Sequence, residues 1–145
     1  MREPTRRFVL LVAEDNEGDR RLTQEALADN PLDLDLRFVE DGQQLLDYLR
    51  HQGTYSDPQN SPHPGLILLD LHMPRKNGHE ALREIKSDAT LRDIPVVVLT
   101  TSQEPADLWQ SFDFGITHFM AKPLDSVALA NLIEEFGAYF RRQHR

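Results

Sequence analysis

The stretch Gly65-Leu66-Ile67-Leu68-Leu69-Asp70 (GLILLD) decides the fold. Four apolar residues in a row, ended by a carboxylate, leave no polar face. That is the pattern of a strand buried on both sides, hence of a parallel sheet covered by helices. Two more runs read the same way: Phe8–Ala13 (FVLLVA), which stops at Glu14-Asp15, and Ile94–Thr100 (IPVVVLT). Helical patterns and shorter strand-like runs fill the intervals. Gly18–Asn30 spaces Leu22 and Ala26 by one helical turn and is ended by Pro31. Leu34–Glu40 has strand content around Leu36, Phe38 and Val39, and Asp41–His51 places Leu45, Leu46 and Leu49 on one helical side. After GLILLD come a helix over Gly78–Ser87 (Leu82, Ile85), the strand at Ile94–Thr100, a helix over Glu104–Phe114 (Leu108, Phe112) and a short strand at Ile116–Ala121. A last helix over Asp125–Arg142 carries the stripe Leu129, Ile133, Phe136 and Phe140. Strand followed by helix, five times, predicts an α/β doubly wound parallel sheet with right-handed crossovers.

One segment breaks the rhythm. Gln52–Pro64 (QGTYSDPQNSPHP) has three prolines and no Val, Ile or Leu. It is a loop longer than most connections in compact domains, read either as a tolerated surface insertion or as a partner-contact or ordering loop.

With 145 residues the chain fits one domain over 1–145, with its core over about 8–140, the 52–64 loop insertion and a short basic C-terminal tail. It contains no cysteine, which excludes disulfides and thiolate metal sites. Sixteen Lys and Arg against 24 Asp and Glu give a net charge of −8, which disfavours nucleic-acid binding. The runs Arg6-Arg7 and Arg141-Arg142-Gln143-His144-Arg145 are short enough to be solvated termini. Phe8–Ala13 is too short for a signal-peptide core or a membrane span, so the expectation is a cytoplasmic protein with no membrane partner.

Polar residues fall at the strand ends. Glu14-Asp15 closes the first strand, Asp70 the third, Thr100 the fourth and Lys122 the fifth. In an open parallel sheet, ligands bind beyond the carboxyl ends of the strands. One edge would therefore collect three carboxylates, a hydroxyl and an ammonium. Taken singly, each has an ordinary explanation: a turn and helix cap at Glu14-Asp15, a loop residue at Asp70, a strand-end threonine, a solvated lysine. Taken together, three carboxylates need a cation, and hard oxygen donors without a Cys or His set point to Mg²⁺. Such a site suits a phosphoryl group beside the metal, its remaining oxygens neutralised by Lys122 and bound by Thr100.

These residues resemble the receiver domain of two-component response regulators. The motifs are Glu14-Asp15, LILLDLHMPRKNG around Asp70, VVVLTTS around Thr100 and AKP at Lys122-Pro123, with intervals of 30 and 22 positions between Asp70, Thr100 and Lys122. The resemblance implies a flavodoxin-like (βα)5 sheet with strand order 2-1-3-4-5. It implies Asp70 as phosphoacceptor from a sensor histidine kinase, and Glu14, Asp15, Asp70 and the His72 backbone carbonyl as Mg²⁺ ligands. Thr100 and Lys122 would bind the phosphoryl group, a cis peptide would join Lys122 to Pro123, and Phe119 would be the switch aromatic. The switching face would be formed by the fourth helix, fifth strand and fifth helix. Beyond its own phosphorylation and dephosphorylation, such a protein is not an enzyme. The insertion before Gly65 and the DLHMPRKNG…EIKSD style resemble the small stand-alone regulators that partner phytochrome-type kinases and are often homodimers, here with Phe136, Tyr139 and Phe140 on the last helix as a candidate contact. His72 departs from the Asn common at its position and Thr101 from the common Ala, which leaves the phosphoryl lifetime open.

Other classes predict other residues. A haloacid-dehalogenase-like phosphatase needs a second Asp two positions after Asp70, where His72 stands. A flavodoxin-like nucleotide binder needs a Gly-, Ser- and Thr-rich loop after the first strand, where EDNEGD would repel phosphate. A receiver-like module that binds without phosphorylation would not need the Asp70, Thr100 and Lys122 set.

Overall fold

The computed structural model describes residues 8–28, 34–70, 73, 78–100, 118–121 and 125–143. Five strands form one sheet: β1 (Phe8–Ala13), β2 (Leu34–Val39), β3 (Leu66–Asp70), β4 (Val96–Thr100) and β5 (His118–Ala121). They are all parallel, in the order β2-β1-β3-β4-β5. Helices α1 (Glu17–Leu27), α2 (Gly42–Arg50), α3 (Gly78–Ser87) and α4 (Ser126–Gln143) accompany it. The expected helix over Glu104–Phe114 lies outside the described residues.

The unbroken apolar runs have a direct structural cause. Side chains alternate across a strand. In β3, Ile67 and Leu69 enter one core with Leu45, Leu46 and Leu49 of α2 and Ala81, Leu82 and Ile85 of α3. Leu66 and Leu68 enter the opposite core with Leu27 of α1 and Leu129, Leu132 and Ile133 of α4. β1 and β4 divide in the same way, so a polar residue at either parity would be buried. Each fully buried aliphatic side chain contributes about 1.5–3 kcal/mol over leaving it exposed, and the two cores clamp the sheet from both faces.

One expectation needs correction. In α1 the inward residues are Thr23 and Leu27, with Ala26 partly buried, while Leu22 is 46% exposed. The inward face is shifted by one residue, and Thr23 is tolerated there because its hydroxyl donates to the Asp19 carbonyl at 3.0 Å. The 52–64 insertion, expected as a loop, is one, and it is folded back onto the domain. His51 leaves α2 with φ 54°, and Gly53 follows at φ 59° in a short 3₁₀ turn, Gly53–Tyr55. The chain then turns back on itself. The Tyr55 ring packs on Tyr48 with centroids 5.4 Å apart, and the Tyr48 hydroxyl donates to the Pro62 carbonyl at 2.8 Å. Ser61 is fully buried; its Oγ lies 2.9 and 3.0 Å from the Tyr55 and Asp57 carbonyls and 3.0 Å from His51 Nδ1. On β2, Arg37 forms a two-pronged pair with Asp35 (2.7 and 3.1 Å) and donates to the Asn60 carbonyl at 3.0 Å. The insertion is thus a strap across α2 and the edge strand, with Tyr55, Ser61, Pro62 and Pro64 turned inward and residues 52–54, 56–60 and 63 exposed.

The opposite corner is held similarly. Lys86 donates to the carbonyls of Arg92 and Ile94 at 3.0 and 3.3 Å, and burial pushes its ammonium below the ordinary lysine value. Asp88 ends α3 by accepting from the Thr90 amide and hydroxyl at 2.8 and 2.7 Å, which sets the turn into β4.

The strap predicts an alkaline weakness. Burial, with a smaller opposing effect from Arg37, pushes the Tyr48 hydroxyl up to about 12. An unfolded tyrosine ionises near pH 10, so between pH 10 and 12 the unfolded chain releases this proton and the folded one keeps it. Stability from Tyr48 is therefore complete below pH 10 and is lost as the pH rises through 12. Tyr48→Phe is expected to cost about 1 kcal/mol at pH 8, by stranding the Pro62 carbonyl, and to flatten the decline above pH 10. Urea unfolding at pH 8 and pH 11 measures both.

Candidate metal centre

The parallel register sets the site. Ala13 of β1 is level with Leu69 of β3, so Glu14 and Asp70 emerge side by side at the carboxyl edge. Asp15 follows, and one carboxylate oxygen from each of Glu14, Asp15 and Asp70 lies within 4.8 Å of the others. Their exposures differ sharply. Glu14 and Asp70 are buried at 1% and 5%, whereas Asp15 faces solvent.

Glu14 is held through both its backbone and its side chain. Its amide donates to the Val39 carbonyl at the end of β2 (2.9 Å), and its Oε2 accepts from the Asn16 amide (3.2 Å). Asn16 is also the cap of α1, its side chain accepting from the Asp19 amide at 2.9 Å. The helix cap is therefore Asn16, and the Glu14-Asp15 pair is left to the pocket. Sequence reasoning passed over Asn16, and the only available signal was a cap-type residue immediately after the acidic pair.

β4 continues the same edge. Asp70 is level with Leu99, and Thr100 is level with Ala121 of β5, one residue before Lys122. The backbone thus brings Thr100 to the edge that carries the carboxylates. The side chains of Thr100 and Phe119, together with His72, Lys122 and Pro123, lie outside the described residues.

Two unit charges about 4 Å apart interact by roughly 4 kcal/mol at an effective dielectric of 20. Three carboxylates at this spacing are a site for a cation. The donors are all oxygen, two from a buried frame and one open to water. That combination fits Mg²⁺, which takes one or two carboxylates and keeps several waters. Among the described residues the cluster offers no sulfur or imidazole for a softer metal. When bound, the ion supplies positive charge against carboxylate and phosphoryl oxygens. Mg²⁺ at 100 times its dissociation constant is expected to stabilise the fold by about 2.7 kcal/mol, a rise in Tm of about 5–10 °C for a chain of this size. Glu14→Gln and Asp70→Asn should each remove most of that rise, measured by differential scanning calorimetry with and without Mg²⁺.

Comparison with known proteins agrees with this geometry. Residues 10–134 match the response regulator receiver domain. The response regulator Rcp1 of Synechocystis sp. is 38% identical over 132 residues, covering 91% of this chain and 88% of that protein. The phosphorylated cyanobacterial phytochrome response regulator RcpA is 40% identical and superposes with a TM-score of 0.78, covering 90% of this chain and 91% of its own. The Mn²⁺-bound form of Rcp1 superposes with a TM-score of 0.77, covering 92% and 94%. The strand order is that of the flavodoxin-like receiver fold, and the haloacid-dehalogenase-like alternative finds no support. Receiver domains hold Mg²⁺ in an acidic pocket of this kind and take their signals from sensor histidine kinases. With the match running over most of its length, the chain belongs to the response regulator receiver domain family.

Proposed function

We propose that Asp70 is the phosphoacceptor of a two-component pathway. The observation that carries this is the convergence of Glu14, Asp15 and Asp70 within 4.8 Å at the sheet edge, with Asp70 buried on a rigid strand end. An oxygen of Asp70 attacks the phosphorus of a kinase phosphohistidine. The new O–P bond forms as the N–P bond breaks, and the released imidazole takes up a proton. Catalysis of this kind is positioning and charge neutralisation. The cation belongs with Glu14, Asp15, Asp70 and the His72 backbone carbonyl. Thr100 donates to one phosphoryl oxygen and Lys122 pairs with another, the Lys122-Pro123 peptide being cis. Phosphorylation then biases Phe119 and the surface of residues 104–114, 116–121 and 125–142 between two states. The protein acts on itself only, as a receiver unit over about 8–140.

Resemblance to RcpA, a cyanobacterial phytochrome response regulator, supports a phytochrome-type kinase as partner. The last helix, with Phe136, Tyr139 and Phe140, is the proposed homodimer contact. Among the described residues no helix is long and apolar enough to cross a membrane, which accords with a cytoplasmic place of action.

Incubation with Mg²⁺ and acetyl phosphate should add the mass of one phosphoryl group to the intact chain, and none to Asp70→Asn. An adduct of equal yield on Asp70→Asn would contradict the assignment. Lys122→Ala should slow formation of the adduct by about 10- to 100-fold. Substitution of His72 or Ser102 should change its rate of decay, read from the same mass spectra over time.

A further inference from the structure

We infer that Asn16 is a positioning residue for the metal centre: its side-chain cap on α1 aims its backbone amide at Glu14 and so fixes the buried carboxylate in the cluster. This rests on the reading of Glu14 as a cation ligand. Asn16 makes three bonds within one helical turn. The side-chain Oδ1 accepts from the Asp19 amide at 2.9 Å, the carbonyl accepts from the Arg20 amide at 3.0 Å, and the amide donates to Glu14 Oε2 at 3.2 Å. The first two bonds determine how the peptide plane at the mouth of α1 is held, with Asn16 extended at φ −82° and ψ 119°. The third transmits that orientation to Glu14.

The need for such a device follows from the charges. A carboxylate beside two others swings away unless something holds it. Glu14 has three rotatable side-chain bonds, and its backbone anchor at the Val39 carbonyl does not constrain them. An amide donor at the carboxylate does. It holds the carboxylate in one rotamer, as the outer hydrogen bonds of metal ligands generally do. Gly18 belongs to the same arrangement. A Cβ there would stand 3.2 Å from Asn16 Oδ1 and press on the cap oxygen. Glycine keeps that contact open at a helical position where alanine is otherwise favoured.

A cap that served only the helix would affect stability and nothing else. The test therefore separates metal affinity from folding. Mg²⁺ dissociation constants are measured by calorimetric titration, and Tm is measured in EDTA, for the parent, Asn16→Ala, Asn16→Ser, Gly18→Ala and Asp88→Ala. Asp88→Ala removes a comparable helix-end bond at the opposite edge of the sheet. Asn16→Ala is expected to weaken Mg²⁺ binding about 10-fold, and Gly18→Ala to weaken it in the same direction. Asn16→Ser, which restores a short side-chain acceptor, returns the affinity to near that of the parent. Asp88→Ala lowers Tm and leaves the affinity unchanged. If Asn16→Ala and Gly18→Ala lower Tm with parental Mg²⁺ affinity, Asn16 is a helix cap and the inference is overturned. If Asn16→Ala does not fold, Gly18→Ala against Asn16→Ser decides it. Absence of Mg²⁺ binding by the parent itself would instead remove the metal centre on which the inference stands.

Discussion

Repulsion among Glu14, Asp15 and Asp70 is the constraint on which the rest of this structure depends. Carboxylates do not gather within 4.8 Å unless a frame prevents them from separating. Here the frame is the β1–β3 pairing, with Ala13 beside Leu69, and the two apolar cores that hold the strands from either face. The energy for bringing the charges together comes from burying side chains such as Leu11, Ile67, Leu68 and Val98. The repulsion then becomes useful, because a cation that binds folded protein and not unfolded chain relieves it.

Within the cluster the three groups are not equivalent. Glu14 and Asp70 are buried and belong to the frame, while Asp15 reaches solvent. A site of this form suits an ion that keeps part of its water shell and must accommodate a phosphoryl group arriving from outside. The bond from the Asn16 amide to Glu14 joins this centre to the first turn of α1. The start of that helix and the geometry of the carboxylates are therefore one structural unit.

Much of this was legible before the structure. GLILLD, FVLLVA and IPVVVLT are buried on both faces, and physics allows few other readings of such runs. Because parallel strands end at one edge, the positions of Glu14, Asp15, Asp70 and Thr100 at their ends implied the site. What was not legible rests on contacts that periodicity does not encode. The face of α1 was misplaced because Thr23 satisfies its hydroxyl within the helix and so can be buried, leaving Leu22 outside. The 52–64 segment was legible as a loop, but not its attachment, which comes from isolated long-range bonds: Tyr48 to Pro62, Arg37 to Asn60, and His51 with Ser61. Asn16 showed only the composition of a cap, since a backbone amide donating to a neighbouring carboxylate leaves no mark on residue type.

The central claim is that this edge is one site, in which Asp70 bonds the phosphoryl group and the acidic cluster holds the metal. A crystal structure with Mn²⁺ and beryllofluoride tests it most directly. The account predicts beryllium bonded to a carboxylate oxygen of Asp70, with a single anomalous metal peak among Glu14, Asp15 and Asp70. Beryllofluoride on another carboxylate, or a metal peak away from the three residues while Asp70 is modified, would contradict it.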